Sequence, residues 1–274
     1  MQSENLKDTL IDIHREISRL SSLEPNSNVT MLFESLIRFC TQPPSRATRQ
    51  LLLDRDIRAL RASLVGYCCE AEGLLERHHA QRALATADIT TALRQFPYYN
   101  EYQELVRMEY QLLCGVGDPA AAIHHVAFIG SGSMPMTAMI LAEHFLETRF
   151  HAFDIDKEAN GLARLIVARL GDQVSKRIRF TDADAEGISE PYAGFDLIYL
   201  AALVGKGRKE KQRIIAHLAT YMRKGALLLV RSAHGLRKLL YPVVKEEDLA
   251  GFRVLVTARP GNDIVNSVII ARKM

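Results

Sequence analysis

Three features that would steer a reading are missing from this chain of 274 residues: a long apolar run, a paired-cysteine spacing and a charge excess of either sign. No stretch approaches the roughly 18 to 20 apolar residues that span a bilayer, so no membrane insertion is expected. The first residues, MQSENLKDTLIDIHREI, are polar and helix-patterned rather than a signal peptide. The four cysteines, Cys40, Cys68, Cys69 and Cys114, contain no CxxC. That argues against a zinc site and a disulfide framework, and it fits a reducing cytoplasm. A net charge of +3 is too small to point to nucleic acid. No GK[ST] follows a glycine-rich loop, which argues against nucleoside triphosphate hydrolysis. What is present is the composition of a soluble globular protein, 48% hydrophobic and 24% charged, with length for two domains of ordinary size.

The chain changes period near its middle. Up to about residue 115 it reads as helices: Ser3 caps a helix carrying Leu10, Ile13, Ile17 and Leu20, and LEPNSN breaks it. A second helix runs roughly from Val29 to Cys40, ahead of Pro43-Pro44. A longer one has Ile57, Leu60, Leu64, Cys68, Ala71, Leu75 and His78 on one stripe, and another starts at Pro97. After GVGDP (115–119), short apolar runs alternate with helical patterns: VAFIG, FHAFDID, RIRF, FDLIYLAAL, ALLLVRS, FRVLVT and VNSVIIARK. This alternation predicts a doubly wound, mostly parallel sheet. The expected division is a helical domain over 1–118 and an α/β domain over 119–274.

The first of these runs leads into VAFIGSGSMPMT, where Gly130, Ser131 and Gly132 precede a helix. Glycines let a backbone approach a ligand closely, and a helix start supplies free N–H donors. A GxG also serves tight turns for steric reasons alone, but Asp154 ends the next strand 24 positions after Gly130. That spacing suits a carboxylate on ribose hydroxyls, and Asp184 after the third strand suits an adenine edge. Pro135 stands where the dinucleotide fingerprint has a small third residue. The residues therefore favour S-adenosylmethionine, which has no pyrophosphate, over NAD, without excluding NAD. An ordinary methyltransferase with a helical cap and a non-catalytic nucleoside-binding module stay open on this reading.

Several segments, in order, carry a more specific signal: EAEGLLERHH (70–79), FPYYNEY (96–102), VAFIGSGSMPMT, DIDKEAN (154–160), LAALVG (200–205), HLATYMRKGALLLVRSAHG (217–235), LYPVV (240–244) and VNSVIIARK (265–273). Together they cover most of the chain and resemble the nicotianamine synthase family, several of them the plant-type members. The resemblance implies an all-helical N-terminal domain joined to a Rossmann-like domain. It also implies transfer of the aminobutyrate part of S-adenosylmethionine to an amine, with release of methylthioadenosine. Nicotianamine synthases join three such molecules and close an azetidine ring, whereas bacterial relatives make one transfer to histidine on the way to staphylopine-type metallophores. Two departures are visible. The family's loop commonly reads GSGPLP, and here Ser133 replaces the first proline. The run KGRKEKQR (206–213) is denser in charge than the family suggests and reads as the start of a solvated helix.

The chemistry implied by the resemblance requires an in-line amine and an acceptor for its proton. By resemblance that acceptor pairs Glu76 with Tyr102. The residues by themselves describe a surface carboxylate, its proton affinity raised by Glu72 four positions away, and a half-buried tyrosine. S-adenosylmethionine, as substrate, is assigned to Gly130, Ser131, Gly132, Asp154, Asp156, Asp184 and Ala201. Arg231, Ser232 and His234 follow a strand on the side where ligands gather; Arg231 could hold the substrate carboxylate or form a strand-end salt bridge. Tyr241 and Asn266 match family positions and complete the substrate set with Arg231 and His234. His78 and His79, adjacent on a helix, point about 100 degrees apart. His124 and His125 face opposite sides of a strand. Neither pair grips one ion, so no bound metal is expected. The expected partners are small molecules, with no nucleic acid and no membrane.

Overall fold

Side-chain caps set the helix boundaries in the first 116 residues. In the computed structural model, which describes residues 2–116, 123–188, 190–205, 207–261 and 264–274, six helices come first. They are α1 (Gln2–Ser18), α2 (Ser27–Cys40), α3 (Arg46–Leu51), α4 (Arg55–Ala85), α5 (Ile89–Arg94) and α6 (Tyr99–Val116). Asn26 accepts the backbone N–H groups of Asn28 and Val29, and Asp54 those of Asp56 and Ile57, each filling donors left open at a helix start. Ser45 and Thr48 cap α3 reciprocally. The six-residue α3 and α5 escape a periodicity window, which needs a longer stretch. Ser3, expected as a cap, lies inside α1. With 31 residues, α4 extends about 46 Å at 1.5 Å per residue, and Ile57, Leu64, Cys68 and Ala71 of its stripe are buried.

The rest of the chain forms a seven-stranded sheet with helices on both faces. The strands are β1 (His125–Ile129), β2 (Arg149–Asp154), β3 (Ile178–Asp182), β4 (Leu197–Leu200), β5 (Leu227–Ser232), β6 (Phe252–Ala258) and β7 (Ser267–Lys273). Their helices are α7 (Met136–His144), α8 (Lys157–Ala168), the one-turn α9 (Asp172–Ser175) and α10 (Arg208–Tyr221). The order is β3-β2-β1-β4-β5-β7-β6. Strands β1 to β5 pair in parallel, and β7 inserts antiparallel between β5 and β6. This is the mostly parallel, Rossmann-like sheet that the alternating runs predict. From β1 the chain winds outward to β2 and β3, then crosses back to β4 on the other side. The loops after β1 and β4 therefore diverge and open a crevice at the strand ends.

The seam expected near residue 118 lies outside the described residues. The apolar interior continues across that point. Leu105, Val106 and Leu113 of α6 share one cluster with Val126 and Phe128 of β1 and with α7, whose residues Met136 to Ala142 are all buried. Leu10, Leu36 and Leu64 of the helical part pack with Leu236, Leu239 and Val265. A third cluster, built around Ile198, Leu228 and Leu218, fills the opposite face of the sheet under α10.

Candidate active site

At the carboxyl ends of β1, β2, β4 and β5 lies a cavity of about 740 Å³, in the size range of small-molecule sites. The loop after β1 forms one wall. Residues of α2, α4 and α6 form the other. The cavity therefore exists only because the helical segment packs over the sheet crevice.

Gly130 and Gly132 adopt φ of +82° and +65°, a region that residues with a Cβ rarely enter. Gly130 N donates to Phe153 O at 2.8 Å, and Gly132 N donates to Asp154 Oδ2 at 2.8 Å, which ties the loop to the end of β2. A Cβ on Gly132 would lie 2.1 Å from Glu76 Oε2. The second glycine thus makes room for a carboxylate of the protein itself, which the sequence does not disclose. Pro135, in place of a third glycine, occupies the cap position of α7.

Glu76 is buried, at 9% exposure, and not the surface carboxylate its isolated pattern describes. The backbone N–H groups of Ser133 and Met134, in the loop after β1, act on its carboxylate and favour the ionised form. Burial first, then the charges of Glu72 and Asp154, pushes its carboxyl well above the usual range. Tyr102 reaches from α6, its hydroxyl donating to Glu76 Oε1 at 3.5 Å. Burial and the neighbouring carboxylates hold this phenol in its protonated form far beyond neutral pH. Of the pair, Glu76 is the group able to exchange a proton and Tyr102 is a hydrogen-bond donor.

One helical turn away, Tyr241 donates to Glu72 Oε2 at 2.9 Å. Burial pushes the Glu72 carboxyl up to about 7 against the opposing effect of that hydrogen bond. Glu101 also lines the cavity and accepts Val265 N at 3.1 Å. From the sequence, Glu72 has only an electrostatic influence on Glu76, and Glu101 has no role. Their signal is an acid on the inward face of a helix that otherwise buries apolar residues.

The remaining candidates divide. Ser131, Asp154, Asp184, Ala201 and Asn266 line the cavity. The Oδ1 of Asn266 is buried with no hydrogen-bond partner among the described residues. Asp156 reaches the rim, but its carboxylate caps α8 through Glu158 N and Ala159 N and pairs with Arg77 Nη2 at 3.0 Å. Arg231 lines the cavity, yet its Nε and Nη2 contact the two oxygens of Glu109 at 2.8 and 2.9 Å, and Nη2 contacts Thr137 Oγ1 at 2.8 Å. Of the two roles open to it, the geometry forms the strand-end salt bridge. Glu109, fully buried on the α6 stripe with Leu105, Val106 and Leu113, is its missed partner. Ser232 exchanges hydrogen bonds with the backbone of Val244. His234 is not among the lining residues; it precedes the short turn Gly235–Leu239, and burial lowers its pKa.

Lys211 belongs to the basic run expected to be solvated, but it is buried. Its Nζ donates to Ala201 O at 2.9 Å and Ala202 O at 2.5 Å, fixing the loop after β4, and burial lowers its pKa to about 7. Lys206 of the same run lies outside the described residues. The cavity wall is acidic overall, because Glu34, Glu72, Glu76, Glu101, Asp154 and Asp184 outnumber Arg82 there, while Arg231 and Arg77 are engaged with acids of their own. Such a wall selects cations, and its glycine loop and strand-end acids fit a nucleoside. Among the described residues no group of three His, Cys, Asp or Glu is placed to hold a metal ion.

Comparison with known proteins identifies relatives along the full length. The family model described as nicotianamine synthase protein matches residues 1–274. Nicotianamine synthase 3 of Arabidopsis thaliana is 40% identical over 274 residues, covering 99% of this chain and 85% of the relative. Nicotianamine synthase of Solanum lycopersicum is 39% identical over 264 residues, covering 96% and 82%. Two solved structures share the fold at about 20% identity. A point mutant of MtNAS in complex with S-adenosylmethionine superposes with a TM-score of 0.81, covering 97% of both chains. MtNAS in complex with MTA and tNA gives 0.80, covering 97% of this chain and 98% of the other.

Proposed function

Because the chain belongs to the nicotianamine synthase family, we infer that it is an S-adenosylmethionine-dependent aminobutyrate transferase. It condenses S-adenosylmethionine molecules through their aminobutyrate groups, releases methylthioadenosine and makes a nicotianamine-type chelator. The observation that carries the mechanistic reading is the carboxylate of Glu76, seated on the glycine loop and within reach of Tyr102 in an acidic cavity.

The bound sulfonium supplies an activated carbon and a good leaving group; the residues of this chain supply the rest. In our reading, Gly130, Ser131 and Gly132 give the nucleoside a close backbone surface, Asp154 holds the ribose, and Asp184 and Ala201 border the base. Glu76 takes the proton of the attacking amine. Burial holds it protonated when no ligand is bound, and a cationic ligand that draws it into the ionised form readies it to accept that proton. Tyr102 orients that carboxylate. A product rich in amino and carboxylate groups would chelate metal ions, which supports a place in metal handling. Cys40, Cys68, Cys69 and Cys114 form no disulfide, which supports a reducing compartment such as the cytoplasm.

Incubation with S-adenosylmethionine alone, followed by mass spectrometry, tests this function. Methylthioadenosine with a multiply condensed product is the expected result. A product formed only when histidine is added would replace nicotianamine by single transfer to histidine. S-adenosylhomocysteine would point instead to a methyltransferase.

A further inference from the structure

Two carboxylate–phenol pairs face the same cavity from one helix, and a single proton transfer needs only one of them. Glu76 with Tyr102 stands against the glycine loop. Glu72 with Tyr241 stands one turn toward the start of α4, beside Glu101. Among the described residues, Tyr241 is the only donor that reaches the Glu72 carboxylate. One of its oxygens is therefore left for a ligand.

The spacing of the two acids has a chemical counterpart. Four residues of α-helix rise about 6 Å. Each transferred aminobutyrate carries its own amine on the third carbon from the one attacked. Successive nitrogens of a growing product are thus four bonds apart, about 5 Å when extended at about 1.5 Å per bond. Glutamate side chains take up the difference. A carboxylate pair at this pitch matches a chain of amines separated by three carbons.

We propose that Glu72, oriented by Tyr241, is a second amine-binding position, which holds one nitrogen of a condensed intermediate while Glu76 serves the nitrogen being alkylated. The proposal rests on the reading of the chain as an aminobutyrate transferase. At each transfer the lone pair of the acceptor nitrogen bonds to the carbon next to the sulfonium. The carbon–sulfur bond breaks, its electron pair leaves sulfur as a neutral thioether, and the nitrogen's proton passes to Glu76. Glu72 takes no part in bond making. It sets where the intermediate sits for the next round, so it governs how many rounds occur.

The test compares Glu72→Gln and Tyr241→Phe with the wild type, supplied with S-adenosylmethionine alone, by quantifying singly and multiply condensed products over time. Both variants are expected to lower the ratio of second to first transfer by about tenfold or more, the scale of a lost hydrogen bond to a charged group. Purified singly condensed product, added back, should show a raised KM with a smaller change in kcat. An unchanged product ratio, or an equal fall in both transfers, would overturn the proposal. Tyr241→Phe keeps the shape of the site, so it decides the matter if Glu72→Gln fails to fold. The wild-type control separates the two readings. If it transfers once and stops, the second position is refuted while the transferase reading stands; if it transfers nothing, both fall.

Discussion

Glutamine at position 76 would keep the size of the side chain and one acceptor oxygen but could not take up a proton. If Glu76 is the base, Glu76→Gln lowers turnover by about 10²–10⁴-fold. The wild-type kcat/KM should fall as pH drops through a value above the ordinary carboxylate range, because protonation removes the base. The glutamine variant should lack that limb; one that turns over at the original rate would move the base elsewhere. Ser133 sharpens the point. Its backbone N–H favours the ionised form of Glu76, and a proline in its place has no N–H to give. Ser133→Pro should therefore shift the acid limb of the pH profile upward. The groups facing Glu76 that share in this titration are Glu72, Asp154 and the neutral Tyr102. At this scale pattern alone was a poor guide. Glu76 and Tyr102 were legible through family resemblance, whereas Glu72, Glu101 and Glu109 sit on inward helix faces whose covering partner no local pattern reveals.

At the scale of elements, the turn after β1 is where two demands meet. It must run left-handed twice, and it must leave space for a carboxylate arriving from α4. Gly132→Ala meets both obstacles: about 1–2 kcal/mol of backbone strain, and a methyl 2.1 Å from Glu76 Oε2. The fold should persist with a slightly lower Tm, and if Glu76 is the base its displacement lowers turnover by about 10²-fold. Normal activity in this variant would show that the loop and α4 move apart easily. Long elements were well forecast, because α4, α6 and the buried strands each carry enough apolar residues to declare a period. The six-residue α3 and α5 were not, and the cap expected from Ser3 fell inside α1.

Over the whole molecule, the cavity lowers stability in a way that pH can read. Glu72 has a folded-state pKa of about 7 against 4.5 unfolded, so the folded state holds its proton more tightly. The unliganded protein then loses stability as pH rises from about 4.5 to about 7 and no further, by at most about 3.5 kcal/mol at 1.4 per unit. Glu72→Gln should remove that loss, its Tm advantage growing across this window and levelling above it. An advantage that is flat in pH would contradict the assignment. The two-part organisation was visible as a change of period, but periodicity marks which faces are apolar and not what covers them, and here α6 and β1 share one cluster. The acidic wall described above has one more consequence, which concerns residence. Each transfer discharges the sulfonium, so the spent thioether loses its counter-charge while the growing product keeps its ammonium groups. The enzyme should behave processively, ejecting one and retaining the other. Methylthioadenosine should accordingly bind at least about tenfold more weakly than S-adenosylmethionine, a gap of 1.4 kcal/mol, measurable by calorimetry and narrowing as salt is added.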